Sequence, residues 1–317
     1  MKEKGFEPLD QRNLGPATEE TDIEDLLYQS KREAMGANFS DAPPPGIPTQ
    51  IRMIFRRDLL DMKRNKNVLI ARFGITAFLS MLMGVIFLDV GSTDRSVPIN
   101  LQSQFGVVVM VALLSLFGTG QPALISFPEE RPVFIREYST HHYSVLGYFL
   151  SRMVNELLLT AIQTFLQCVI VFYMTGLHSR FSYFFLVNYA IGMASTAVAL
   201  LLGSSITVTK VASEMLPVIM VPQILFSGFF IAPSLMPSWL RWAQYICTLT
   251  YGVRILMVEE FEDCNPRDAV ENDACNNLLE DIDADPSEVY WYWLVLLAFF
   301  SVFRLLAFYS LRTRALQ

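Results

Sequence analysis

The chain has 317 residues, 52% hydrophobic and 17% charged, with a mean hydropathy of +0.36. A soluble domain carries about a quarter charged residues, and here the apolar excess is gathered into bilayer-length stretches, which excludes an ordinary water-soluble core. The formal net charge of −7 averages over basic flanks and one acidic block, so it says little about partners.

In chain order, residues 1–17 show no periodicity and are expected to be disordered. Residues 18–34, TEETDIEDLLYQSKREA, place Ile23, Leu26 and Leu27 on one helical face, with acids leading and Lys31 and Arg32 following. That order suits the helix dipole and predicts a short amphipathic helix. GANFSDAPPPGIP (36–48) reads as a stiff linker, which makes 1–48 a linker segment. Its one glycosylation sequon, at Asn38, is expected to be silent on the cytosolic side. The first twenty residues contain no apolar core of a cleavable signal peptide. Residues 49–66 put Ile51, Ile54, Phe55, Leu59, Leu60 and Met62 mostly on one face, opposite Arg52, Arg56, Arg57, Lys63 and Arg64. This pattern predicts an amphipathic connecting helix lying at the membrane surface, its bases toward lipid headgroups.

Five stretches approach or exceed the ~20 apolar residues needed to cross hydrocarbon: 68–90, 105–126, 146–175, 182–208 and 289–310. A sixth, 213–232, is interrupted by Pro217, Pro222 and Gly228, which membrane helices tolerate. Residues 233–258 are apolar but broken by Pro233 and Pro237, with Trp239, Trp242 and Tyr245 beside Arg241 and Arg254. They predict one or two short re-entrant helices at an interface. The expected fold is therefore all-α: a polytopic membrane protein with six transmembrane helices, an N-terminal amphipathic helix and short re-entrant helices before the last span. In that span, Arg304 is expected to snorkel toward the nearer surface. Glu156 and Glu214 read as interface carboxylates.

Charge fixes the expected orientation. Residues 50–67 hold six bases and two acids, whereas 259–288 hold twelve acids and one base. Lys and Arg near span ends mark the cytosolic side, so both termini are expected in the cytosol and the acidic loop outside. Cys264 and Cys275 lie in that loop, where disulfides persist. A bridge within the loop and a bridge between subunits are both compatible with this placement. Cys168 and Cys247 read as small packing residues.

Several chemistries are missing from the sequence. It contains no G-x-x-x-x-G-K-[ST] phosphate loop, no H-E-x-x-H and no G-x-S-x-G. His141 and His142 are adjacent and have no ligand-spaced cysteine or carboxylate, so a metal site is not expected. No catalytic residue is assigned, and a self-contained enzyme is not expected.

Two motif blocks bring in a resemblance. FPEERPVFIREY (127–138), followed by YSVLGYFLSR (143–152), and FSGFFI (226–231), followed by MPSWLRWAQYICTLTYGVRILMVEEF (236–261), resemble the G subfamily of ATP-binding-cassette transporters, the white and breast-cancer-resistance type. The resemblance covers residues 49–317 and implies an ABC-2 type permease domain there. Members carry a nucleotide-binding domain ahead of the membrane domain, whereas about 48 residues precede the connecting helix in this sequence. A truncation or a separately encoded partner is therefore expected.

The resemblance implies a permease half of an ATP-driven exporter that works as a homo- or heterodimer by alternating access. It implies no cofactor held by this chain, with ATP and Mg acting through a nucleotide-binding domain. The 127–144 stretch would be the coupling helix, begun by Pro132, with Phe134 and Tyr138 filling a socket on that domain and Glu130, Arg131, Arg136 and Glu137 at the rim. The substrate cavity would be lined by Ser115, Phe117 and Thr119 from the second span and Val221, Ile224 and Leu225 from the fifth. Phe229 and Phe230 would form an outer valve, and Cys264 and Cys275 belong to the family's cysteine-bearing external loop. Expected partners are the lipid bilayer, a nucleotide-binding domain, a second half-transporter and a hydrophobic or amphipathic small molecule such as a sterol or lipid, with no nucleic acid. The plasma membrane is the expected location. A regulatory or dominant-negative half-transporter is the alternative, and a passive channel is disfavoured by the apolar lining.

Overall fold

The computed structural model describes residues 46–64, 66–93, 97–139, 145–206, 209–231, 233–261 and 269–315. The amphipathic helix expected at 18–34 lies outside the described residues. Among those described there are nine α-helices and no strand. They are α1 (Ile47–Arg64), α2 (Lys66–Ile86), α3 (Pro98–Ser139), α4 (Val145–Thr175), α5 (Phe181–Ser205), α6 (Thr209–Leu225), α7 (Thr248–Phe261), α8 (Ala269–Asp281) and α9 (Val289–Ala315).

The connecting helix forms as its sequence requires. Pro48 sits in its first turn, where its missing N–H costs nothing, and Lys63 and Arg64 close its last turn. Its buried contact is Ile54, packed with Tyr148 and Phe149 of α4 and Leu311 of α9. Leu59 and Leu60 remain exposed, as lipid-facing residues would.

Five helical segments are long and apolar enough to cross a membrane: Lys66–Ser92, Ile99–Ser126, Val145–Thr175, Phe181–Ser205 and Pro286–Thr313. Each carries the apolar exposure that lipid favours. α2, for example, exposes Val68, Ile75, Phe78 and Met81 and turns Thr76, Ser80 and Gly84 inward. The expected 213–232 span is a shorter helix, α6, of 17 residues. The chain leaves it through a turn with Gly228 at φ +87°, a left-handed conformation that favours glycine.

Small residues set the closest helix contacts, as is usual where lipid tails compete for apolar surface. α3 and α5 make the most extensive helix pair in the bundle. A Cβ added at Gly120 of α3 would fall on Ser195 Oγ of α5, and one at Gly192 would meet the Thr119 and Thr160 side chains at 3.2 Å. α7 is the shielded re-entrant element. Twelve of its 14 residues are buried, and a Cβ at Gly252 would collide with Ile191 of α5. At 1.5 Å per residue it is about 21 Å long, short of a full crossing.

Hydrogen bonds gather the loops at the two ends of the bundle. At one end Asp89 N donates to Met174 O (3.0 Å) and Gln104 Nε2 to Val90 O (3.1 Å). At the other, Asn155 Nδ2 donates to Asp58 Oδ2 (2.8 Å) and the Ser205 and Ser310 hydroxyls meet at 3.2 Å.

Several sequence expectations need correction here. The 127–139 backbone does not begin a new helix at Pro132; it continues α3 to Ser139. Arg304 does not reach out to solvent and Glu156 is not an exposed carboxylate. Both are buried inside the bundle, at 4% and 3% exposure; Arg304 donates to Thr196 of α5, and Glu156 lies 4.0 Å from Arg152 one turn earlier on its own helix. Arg254 is likewise buried rather than interfacial. Part of the acidic loop is helical, as α8.

Candidate functional site

The stretch expected to dock a cytosolic partner occupies the last three turns of α3. The side chains of Glu130, Arg131, Phe134, Arg136, Glu137 and Tyr138, and residues 140–144 with both histidines, lie outside the described residues. Near the start of α4, Arg152 Nη2 donates to Ser126 Oγ (2.5 Å), tying α4 to α3 one residue before that stretch begins. Burial beside α4 pushes the Asp58 carboxyl above the usual range, against the opposing pull of Arg57 and Arg152.

The six expected cavity residues divide into three pairs. Ser115 donates to Asn188 Oδ1 (3.0 Å) and accepts from Gln167 Nε2 (2.9 Å). Thr119 Oγ1 bonds to Ser115 O (2.7 Å) and Gly192 O (3.1 Å). Both side chains are fully buried between α3, α4 and α5, so their polarity is spent on holding the bundle together. They do not face the free surface of α6. Val221 and Leu225 do lie on that surface, close to half exposed, with Val218 beside them. Ile224 and Phe117 are partly buried against the core. The physical reason for the split is periodicity: on α3 positions 115 and 119 are one turn apart on the inward face, whereas 117 turns away.

The expected valve residues are in contact. Phe229 and Phe230 meet edge to face at 4.9 Å, and Phe229 also packs on Phe105 of α3 at 5.6 Å. Phe230 is mostly exposed. Gly228, just before the pair, lies against Ile282 beyond α8, where an added Cβ would touch the Ile282 side chain at 3.4 Å.

Next to α6 lies an apolar groove that the sequence reading did not anticipate. It has a volume of about 300 Å³ and is lined by Val198 and Leu202 of α5, Ile219 and Pro222 of α6, Trp242 and Phe303. Its one polar seam is Gln223 Oε1 accepting from Thr248 Oγ1 at 2.7 Å.

The loop end of the bundle is fastened by two buried charges. Glu260, at the C-terminal end of α7, accepts the backbone N–H groups of His178 and Ser179, each at 3.0 Å. Arg254, one and a half turns earlier, donates from Nε to Ile282 O (3.1 Å) and from Nη2 to the Asp283 carboxylate (2.9 Å). Nearby, Cys275 is buried and disulfide-bonded; Cys264 lies outside the described residues. Cys168 and Cys247 are free and buried.

These features define an integral membrane domain of long apolar helices, with a buried re-entrant helix and a helix extending to the 127–139 stretch. Residues 49–261 match the ABC-2 type transporter family, and the chain belongs to it. It is 26% identical over 235 residues to the rat broad substrate specificity ATP-binding cassette transporter ABCG2, covering 72% of this chain and 35% of that protein. It is 25% identical over 276 residues to protein white of Ceratitis capitata, covering 84% and 40%. With ABC transporter G family member 1 of Dictyostelium discoideum it shares 24% over 306 residues, covering 90% and 38%. The chain thus spans between a third and two-fifths of the length of these relatives.

Proposed function

We propose that this chain is the membrane-spanning permease half of an ATP-driven exporter for hydrophobic or amphipathic molecules of the lipid, sterol or flat organic class. The observation that carries the reading is the ABC-2 match over 49–261 on a bundle of membrane-length helices. Residues 49–317 form the permease domain, and α6, with Pro217 and Pro222 inside it, supplies the sixth crossing. Both termini are cytosolic and the plasma membrane is the site of action. ATP and Mg act through a nucleotide-binding domain, on which the 130–138 stretch docks through Phe134 and Tyr138, with Glu130, Arg131, Arg136 and Glu137 around them.

The chain works as a dimer with a second half-transporter. Val221, Ile224 and Leu225, with Phe117, line the cavity between the two copies, and Phe229 with Phe230 closes it outward. The nearly half-exposed apolar surface of α6 supports this placement, because exposed apolar patches mark interaction surfaces or ligand grooves. Cys264 is the partner of Cys275 within the external loop.

Co-expression with a complete half-transporter tests the proposal. Export of a fluorescent hydrophobic compound should rise above the level given by the partner alone. A fall at every expression ratio would favour the regulatory, dominant-negative reading instead.

A further inference from the structure

α1 takes a different course from the span that follows it. α2 runs alongside α4: Arg72 Nε donates to Gln163 Oε1 (2.6 Å), and three turns further on a Cβ at Gly84 would strike Met174. α1 does not keep that pace. Ser151 Oγ donates to Ile51 O (3.5 Å) and Asn155 Nδ2 to Asp58 Oδ2 (2.8 Å), an advance of about 10 Å along α1 for about 6 Å along α4. It therefore lies obliquely across the first turns of α4. A single residue separates its end at Arg64 from Lys66, where the membrane-length segment begins, so α1 rests at a bilayer surface.

Its inward face is taken up by the bundle. Ile54 is buried with Tyr148, Phe149 and Leu311, and Asp58 is held by Asn155 and Arg57. The outward face is basic. Arg52, Arg56, Lys63 and Arg64 are exposed, and Lys66 continues them at the start of α2; Asp61 is the one exposed acid between 51 and 67. By helical register Arg52, Arg56 and Lys63 form one stripe, with Leu59 along one edge and Met53 and Leu60 along the other. Those three apolar side chains are 45%, 62% and 52% exposed. At a headgroup boundary they would sink beside the acyl chains while the bases reach up to phosphates.

We propose that this face binds several monovalent anionic phospholipids, of the phosphatidylserine class, in the leaflet on which α1 lies. Charge selects the occupant: five exposed bases stand against one exposed acid, and each base near an anionic surface strengthens binding about fivefold. Reach selects the number. From Arg52 to Lys63 the stripe runs about 17 Å, which spreads the bases over several headgroups instead of gathering them on one polyphosphate. Continuity with α2 selects the bilayer over a soluble anion, because the adjoining span holds the stripe at the lipid surface. The site needs only α2 to cross the membrane and does not depend on the transport reading. With the N-terminal side cytosolic, as proposed above, the leaflet concerned is the one that carries the anionic lipids.

The test places the full chain in nanodiscs of phosphatidylcholine alone and of phosphatidylcholine with phosphatidylserine, and reads amide hydrogen exchange on peptides from α1 and, as the control, from α8. Phosphatidylserine should slow exchange across 47–64 by about fivefold or more and leave 269–281 unchanged. High salt should cancel the slowing, and phosphatidylglycerol at equal content should reproduce it. The triple variant Arg52→Gln, Arg56→Gln, Lys63→Gln should lose most of it. If that variant fails to fold, the salt dependence of the unaltered protein carries the test. Equal exchange in the two bilayers would overturn the proposal, as would slowing that survives high salt or the triple variant. Slowing that requires a polyphosphoinositide at equal total lipid charge would overturn it too, assigning the bases to a single headgroup. So would protection that appears in phosphatidylcholine only when a nucleotide-binding domain is added and that phosphatidylserine does not increase, which would assign the face to a protein.

Discussion

Removing the carboxylate of Glu260 should unfasten the loop end of the bundle. Its two oxygens accept the N–H groups of His178 and Ser179 at 3.0 Å each, and the side chain is almost wholly buried. Hydrogen bonds to a charged group contribute about 1.5–3 kcal/mol each, and a buried donor left alone costs about 1–3 kcal/mol. Ser179 is buried, so its N–H would lose its partner outright. The half-exposed His178 allows water to replace the other bond, so its share is smaller. Together these give about 3 kcal/mol for Glu260→Ala. At roughly 2–4 °C per kcal/mol for a chain of this size, the unfolding midpoint should fall by about 6–12 °C. Glu260→Gln keeps one acceptor oxygen and should lose about half as much. The assay is thermal unfolding in detergent, followed by tryptophan fluorescence, with Glu259→Ala as the neighbouring control. A Glu260→Ala midpoint within 2 °C of the unaltered protein would refute the reasoning, because the amides would then have been satisfied elsewhere.

Further expectations concern the helix contacts, the pH response and the docking stretch. Gly120→Ala should lower the midpoint by about 2–12 °C, since overpacking costs about 1–3 kcal/mol. Adding Ser195→Ala, which removes the atom in the way, should recover part of that loss. Asp58 has a carboxyl raised by burial, so the folded state holds its proton longer than the unfolded chain does. Stability from this group is therefore greatest below the unfolded value near pH 4 and falls as pH rises toward the folded value. Asp58→Asn should flatten that slope in a midpoint-versus-pH profile, and an unchanged slope would remove Asp58 as its source. Phe134→Ala and Glu137→Gln should abolish the export gained on co-expression while leaving membrane insertion intact; unchanged export in both would remove the stretch as the coupling element.

Legibility in the sequence followed the length of the signal. Long apolar runs and basic flanks marked α1 and the membrane-length helices, and the prolines at 217 and 222 marked the weak place in the sixth segment. Motif matching reached the family, because two blocks recur in order over much of the chain. Side-chain direction was less legible. Ser115 and Thr119 were expected at a cavity, yet they bond to α4 and α5, and nothing in a single apolar segment tells which face meets another helix. The same blindness hid Glu156 and Arg304. In the sequence each is a lone charge in an apolar run, and the nearest water surface is the natural expectation. Arg152 stands one turn from Glu156 on the same helix, but Thr196 and Arg72 are brought alongside by two other stretches of chain. Glu260 and Arg254 were missed for the same reason: their partners at 178–179 and 282–283 are backbone groups as well as side chains, and backbone partners leave no mark in residue type.

The most direct measurement is ATP-driven accumulation of a hydrophobic fluorescent compound in inside-out vesicles containing this chain together with a nucleotide-binding domain. The account predicts accumulation that requires ATP, this chain and an intact 130–138 stretch. Accumulation that persists without ATP, or none at all when both components are inserted and assembled, would contradict it.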